Sequence, residues 1–143
     1  MKLSTRGRYG LHAMYELAMG YEDGAPLSIK TIAERQDIPE AYLEQLIAML
    51  RRDELVTSVR GAQGGYVLAR APDQIKVGDV LRSLEGGLKL VDCLLEEDIC
   101  GKSCACPSRV VFKKINDGLN GIVDSITLQD MHTDDKRLMA QGE

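Results

Sequence analysis

Outside one short stretch this chain has no cysteine. Cys93, Cys100, Cys104 and Cys106 fall within 14 consecutive residues of "DCLLEEDICGKSCACPSRVVF", and the other 129 of the 143 residues have none. Long apolar runs are missing too: none approaches the roughly 18 residues of a membrane span. The basic start "MKLSTRGRYG" is not followed by the apolar core of a signal peptide, because Arg6, Arg8 and His12 interrupt it. The chain is therefore expected to be cytoplasmic, with no membrane partner. In that compartment clustered thiols point to metal binding or redox chemistry rather than to structural disulfides. No CxxC, no P-loop and no nucleophile–base pattern is present, so nothing favours an enzyme. There is no repeat and no low-complexity tract.

A basic excess is also lacking. The net charge is −4, well short of the footprint that would announce nucleic acid by charge alone. Its distribution is uneven. Residues 1–70 carry nine Lys+Arg against nine Asp+Glu, whereas residues 71–143 carry nine against thirteen and hold the whole deficit. The first half has the better balance for a polyanion, and Lys2, Arg6 and Arg8 open it without an acid among them. At 44% hydrophobic and 28% charged, the composition is that of an ordinary globular protein.

What is present is strongly periodic. Ser4 suits an N-cap, and Tyr9, Ala13 and Leu17 with Leu11, Met14 and Ala18 follow at helical spacing until "EDGAP" breaks the run. Ser28 opens a second helix of about two turns with Ile29, Ile32 and Ala33 on one face. "DIP" interrupts it, and Pro39 is expected in the first turn of a third helix. That helix has Leu43, Leu46, Ile47 and Leu50 on one stripe, with Glu40, Ala41, Glu44, Gln45, Arg51 and Arg52 on the other side. Two such helices around a tight break read as a helix-turn-helix. In "LVTSVRGAQGGYVLAR" the period changes to two, and the glycines between Gly61 and Gly65 signal a hairpin. A hairpin directly after a helix-turn-helix is the order of a winged helix. "IKVGDVLRSLEGG" predicts a short helix stopped by its glycines. After Pro107, Val111, Ile115, Leu119 and Ile122, widened by Phe112 and Val123, mark a long amphipathic helix. "TLQDMHTDDKRLM" predicts a last short helix, and "AQGE" a frayed end.

Several blocks resemble one family. "GRYGLHAMYELA", "IAERQDIPEAYLEQLIAMLRRDELVTSVRGAQGGYVLAR", "IKVGDVLRSLEG" and "SITLQDM" are similar to the bacterial winged helix-turn-helix transcription regulators that include IscR, NsrR and CymR, and most like IscR. The resemblance covers about residues 1–131 and is most specific in "YLEQL" and "VRGAQGGYVLAR". It implies a mainly α fold with a small β-hairpin wing: a winged helix-turn-helix plus a long dimerisation helix. Residues 1–86 would form the DNA-binding domain, 87–106 a cysteine-rich loop, and 107–143 the dimerisation helix and tail. It also implies a homodimer that reads a palindromic operator in double-stranded DNA.

Elementary recognition chemistry agrees. A recognition helix offers the polar side chains of its N-terminal half to base edges. Here these are Ala41, Tyr42, Glu44 and Gln45; Gln45 suits adenine, and Glu44 can accept from cytosine N4. A carboxylate among phosphates is unfavourable unless it finds such a donor, so Glu44 sharpens sequence choice more than affinity; paired with a nearby arginine, it would only decorate a solvated face. Arg60 stands where a wing meets the minor groove or a phosphate, and Gly64 and Gly65 would let the backbone come close. Lys2, Arg8 and Arg51 are candidate phosphate contacts, or simply solvated charges.

The thiols divide by comparison with the family. Removing Cys104 leaves Cys93-x6-Cys100-x5-Cys106, close to the three-cysteine spacing of IscR-like and NsrR-like regulators. The resemblance implies an iron–sulfur cluster, of the 2Fe–2S type, on Cys93, Cys100 and Cys106. Clusters normally take four protein ligands. The family's histidine, three residues after the third cysteine, is here Arg109, and a guanidinium does not ligate iron. Cys104, His12 or an external ligand remain for the fourth position. Zinc, a metal-free thiol switch and unused thiols are the other readings. At the level of function the alternatives are a nitric-oxide-sensing repressor similar to NsrR, and a cluster-free regulator of cysteine or sulfur metabolism similar to CymR, gated by thiols or a partner protein.

Overall fold

The protein is described by a computed structural model covering residues 2–89 and 106–142. The readings placed on Cys93, Cys100 and Cys104 lie outside those residues. Helix α1 (Thr5–Met19) begins where the Ser4 hydroxyl accepts the Gly7 amide, and α2 (Ile29–Gln36) where the Ser28 hydroxyl accepts that of Thr31. Both are side-chain N-caps that satisfy a donor left over by the helix start. Asp37 turns the chain in the left-handed region (φ 53°, ψ 49°), which short polar residues tolerate, and α3 (Glu40–Arg52) follows. Pro39 stands one place earlier than expected. It is the N-cap of α3 and gives its carbonyl to the Leu43 amide at 2.9 Å, which its missing N–H does not hinder.

Strands β1 (Val56–Val59) and β2 (Gly65–Leu68) pair antiparallel, with Val56 opposite Leu68 and Val59 opposite Gly65. Arg60 lies just beyond β1, at the start of the turn. A 3₁₀ turn over Pro72–Gln74, not expected from the sequence, leads to α4 (Val77–Glu85), and Gly86 ends that helix at φ 77°. The long helix α5 (Pro107–Ser125) and α6 (Leu128–Gln141) complete the chain. The final helix is longer than expected, because no breaker precedes Gly142, whose amide closes onto the Leu138 and Met139 carbonyls.

The core is built from the predicted stripes. Met14, Ile32, Leu43, Leu46, Ile47, Leu50 and Ile75 are fully buried, each burial contributing about 1.5–3 kcal/mol. Leu128 belongs to the same cluster, so α6 returns to pack on α1. Two α1 glycines permit a close approach of α4: a Cβ at Gly7 would strike the Glu85 carboxylate, and one at Gly10 the Leu84 side chain. The apolar stripe of α5 is different. Val111, Ile115 and Ile122 remain 52%, 50% and 61% exposed. Among the described residues no helix is long and apolar enough to cross a membrane.

Candidate nucleic-acid interface and the roots of the cysteine segment

Helix α3 divides as its pattern predicts. Leu43, Leu46, Ile47 and Leu50 face the core, while Ala41, Glu44 and Gln45 are exposed on one side of its N-terminal half. Tyr42 is half-buried. Its ring meets that of Tyr9 edge-on, with centroids 6.1 Å apart and planes at 79°. The Arg8 guanidinium carbon lies 5.9 Å above the Tyr9 ring, within cation–π range. The structure thus brings together Arg8 and Tyr42, which the sequence separates, and adds Tyr9 as the support between them. The only sequence signal for Tyr9 was its place on the apolar face of α1. Lys2 is exposed ahead of α1. Arg51 and Arg52 occupy the last turn of α3, where cations complement the helix dipole, and Arg52 also approaches Asp53 at 3.7 Å.

The wing is tied to the head by more than its own two strands. Leu27, between α1 and α2, exchanges both backbone hydrogen bonds with Tyr66, at 3.0 and 2.8 Å. This gives the glycines a role inside the wing as well. A Cβ at Gly64 would strike the Val59 carbonyl, and one at Gly65 the Leu27 carbonyl. Both positions need glycine for the wing to close, whatever approaches it from outside. Arg60 is exposed at the start of that turn.

The cysteine segment leaves α4 and joins α5, and its first root is held by side-chain hydrogen bonds. On the first side, the Ser4 amide and hydroxyl donate to Glu85 Oε1 at 3.0 and 2.5 Å. Three residues on, the Leu88 carbonyl accepts from Asn120 Nδ2 of α5 at 3.2 Å. The same Asn120 accepts from Arg82, whose two terminal nitrogens also grip the two oxygens of Asp124 at 2.7 Å each. That pairing, through hydrogen bonding first and the guanidinium charge after it, holds the Asp124 carboxyl below the usual carboxylate range. On the second side, Cys106 is the N-cap of α5 and Pro107 follows at N1. Its half-buried side chain makes no capping hydrogen bond. The sulfur is thus not engaged in holding the helix and suits a metal donor. Arg109 is half-buried in the first turn of α5, and His12 is exposed on α1. Among the described residues no three His, Cys, Asp or Glu side chains are placed to hold a metal ion.

This order of elements, with an exposed polar face on α3 and a wing beside it, is matched along nearly the whole chain by one family. The model of Rrf2, an iron-dependent transcriptional regulator, fits residues 3–134. The chain belongs to the Rrf2 family. An Rrf2-family relative, the HTH-type transcriptional regulator CymR of Bacillus subtilis, is 44% identical over 131 residues, 92% of this chain and 89% of that protein. Among solved structures, T. potens IscR is 48% identical with a TM-score of 0.77, covering 94% of this chain and 88% of that one. The structure of CymR, the global cysteine regulator of B. subtilis, is 41% identical with a TM-score of 0.78, covering 93% and 97%. As a member of the Rrf2 family the protein is a transcriptional regulator, and its relatives are not enzymes.

Proposed function

We propose that this Rrf2-family regulator is a cytoplasmic homodimer that binds a palindromic operator in double-stranded DNA and responds to an iron–sulfur cluster held by its cysteine segment. In this reading residues 1–86 are the reading head, and α5 pairs with its copy through the exposed Val111–Ile115–Ile122 stripe. Ala41, Tyr42, Glu44 and Gln45 meet base edges or flanking phosphates. Arg60, with Gly64 and Gly65 behind it, brings the wing to the minor groove, and Lys2, Arg8 and Arg51 meet phosphates. Cys93, Cys100 and Cys106 are the cluster ligands, with His12 or Cys104 as the fourth.

The observation that carries the proposal is the rooting of the segment. All four thiols of the chain lie between Leu88, which is hydrogen-bonded to α5, and Cys106, which begins α5. A 2Fe–2S cluster bound there supplies redox-sensitive cross-links within the segment. The chain's own residues carry the rest: Glu85 ties one root to α1, and Asn120 ties it to α5. For occupancy to change DNA binding, the two states must differ in affinity for two arrangements of head and helix.

The identity to CymR favours a second reading, a cluster-free regulator of cysteine or sulfur metabolism gated by thiol oxidation or a partner protein. Purification without oxygen, with a visible spectrum and iron and sulfide analysis, separates the two. The cluster reading expects a coloured protein with iron and sulfide in equal amounts. A chain that stays colourless and iron-free after attempted reconstitution overturns it.

A further inference from the structure

We propose that Arg82 is a positioning residue for operator choice. By fixing the angle at which α5 leaves the head, it sets the separation of the two heads in the dimer and hence the half-site spacing they accept. The inference rests on the reading of α5 as the dimer helix.

Helix α5 has 19 residues and is about 28 Å long. Its C-terminal end is fixed to the head by backbone: the Val77 amide donates to the Ile126 carbonyl at 2.8 Å, and the Leu128 amide to the Ile75 carbonyl at 3.0 Å. Val123 is buried there with Val77 and Leu81. At the other end, Val110, Val111 and Ile115 are at least half exposed. The helix is therefore a lever held near one end, and any rotation about that end grows along it.

Arg82 grips the lever ahead of its fixed end. One guanidinium reaches Asp124 with both terminal nitrogens and, one turn further out, Asn120 Oδ1 at 2.8 Å. Asn120 passes the contact on to Leu88 and to the Asn116 carbonyl. Beneath the pair lies Gly78, where a Cβ would strike Asp124 Oδ1 and come within 2.8 Å of Arg82 Nη1. The planar fork thus sits over a point where α4 and α5 pack too closely for a side chain at Gly78. It fixes direction in a way that a lysine ammonium, a point charge on a flexible stem, does not.

Both partners are about one-third exposed, 34% for Arg82 and 36% for Asp124. A pair so placed adds only modestly to stability. Its geometric role is larger, because each base pair of spacing moves a half-site by about 3.4 Å and turns it by about 35°.

The experiment uses the full chain. Duplexes are selected for the wild type from a pool of randomised inverted repeats, and the central spacer of the best is then lengthened or shortened by single base pairs. The wild type is expected to prefer one spacing. For Arg82→Ala, discrimination between that spacing and its neighbours falls by roughly fivefold, while affinity for an isolated half-site is unchanged. If Arg82→Ala does not fold, Asp124→Asn carries the same expectation, since it keeps shape but loses the charge that orients the fork. A variant that loses thermal stability but keeps the wild-type spacing profile overturns the inference alone. A wild type that shows no spacing preference, or binds as a monomer, overturns the dimer reading and the inference with it.

Discussion

Ser4 and Glu85, 81 residues apart in sequence, meet through a single carboxylate oxygen that accepts both the Ser4 amide and its hydroxyl. The hydroxyl in turn accepts the Gly7 amide, so its donor and acceptor roles are both used. The first turn of α1 is thereby locked to the last turn of α4, at the root of the cysteine segment. Replacing Glu85 by alanine should cost about 1–3 kcal/mol, because two part-buried donors lose their acceptor. Gly10→Ala should cost a similar amount for another reason, since its methyl group must displace the buried Leu84. Urea unfolding followed by circular dichroism measures both; a loss near zero for Glu85→Ala would mean that water replaces the carboxylate without penalty.

Acid should weaken the grip of α4 on α5. Hydrogen bonding to Arg82, and then its charge, lowers the Asp124 pKa in the folded state. The folded form thus binds this proton less readily than the unfolded chain. Its stabilisation is complete above the unfolded carboxylate value, near 4, and is lost as pH falls through the lower folded value. Wild type should exceed Asp124→Asn by about 1 kcal/mol at neutral pH, a figure kept small because the pair is partly exposed. Urea midpoints of the two proteins should converge below pH 4. A gap that persists in strong acid would show that the asparagine, not the lost charge, is responsible.

The exposed stripe of α5 makes a prediction about assembly. Ile115→Lys places a charge in the middle of the proposed helix pairing while touching nothing in the core. Sedimentation should show a monomer at concentrations where the wild type is a dimer, with helix content unchanged. A dimer that survives the substitution would move the interface elsewhere.

On DNA, Gln45 and Arg60 should fail differently. Gln45→Ala should raise affinity for operators altered at one base pair relative to the selected sequence, with a discrimination loss of about 1–3 kcal/mol. Arg60→Ala should weaken all sequences together and reduce the salt dependence of binding by about one ion. Titrations at several salt concentrations separate the two patterns. Equal behaviour of both variants would place one of the two residues away from the groove.

Most of the head was legible in the sequence because its signals are local. Ser4 and Ser28 cap what they appeared to cap, the stripe from Leu43 to Leu50 is buried, and the glycines after Arg60 do close a hairpin. The interface candidates are single positions on those elements, so the pattern that marks α3 and the wing also marks which of them are exposed. What escaped was long-range pairing. Asn120 and Asp124 read as the polar side of an amphipathic helix, and nothing in their spacing points to Arg82, 42 and 38 positions earlier than Asp124 and Asn120. The glycines showed where bulk is missing but not what fills the space. Gly7 and Gly78 each lie against a carboxylate, while Gly64 and Gly65 lie against backbone carbonyls of the wing and of Leu27. The return of α6 to α1 was equally hidden, because an apolar face does not state which surface it covers.

That return bears on synthesis. Leu128 is fully buried among residues of the first half of the chain. On the ribosome, that cluster therefore lacks Leu128 until α6 has emerged, after α3 and the cysteine segment. Contacts between residues far apart in sequence form late and slowly. The winged unit thus completes its core only after the cysteine segment has been made.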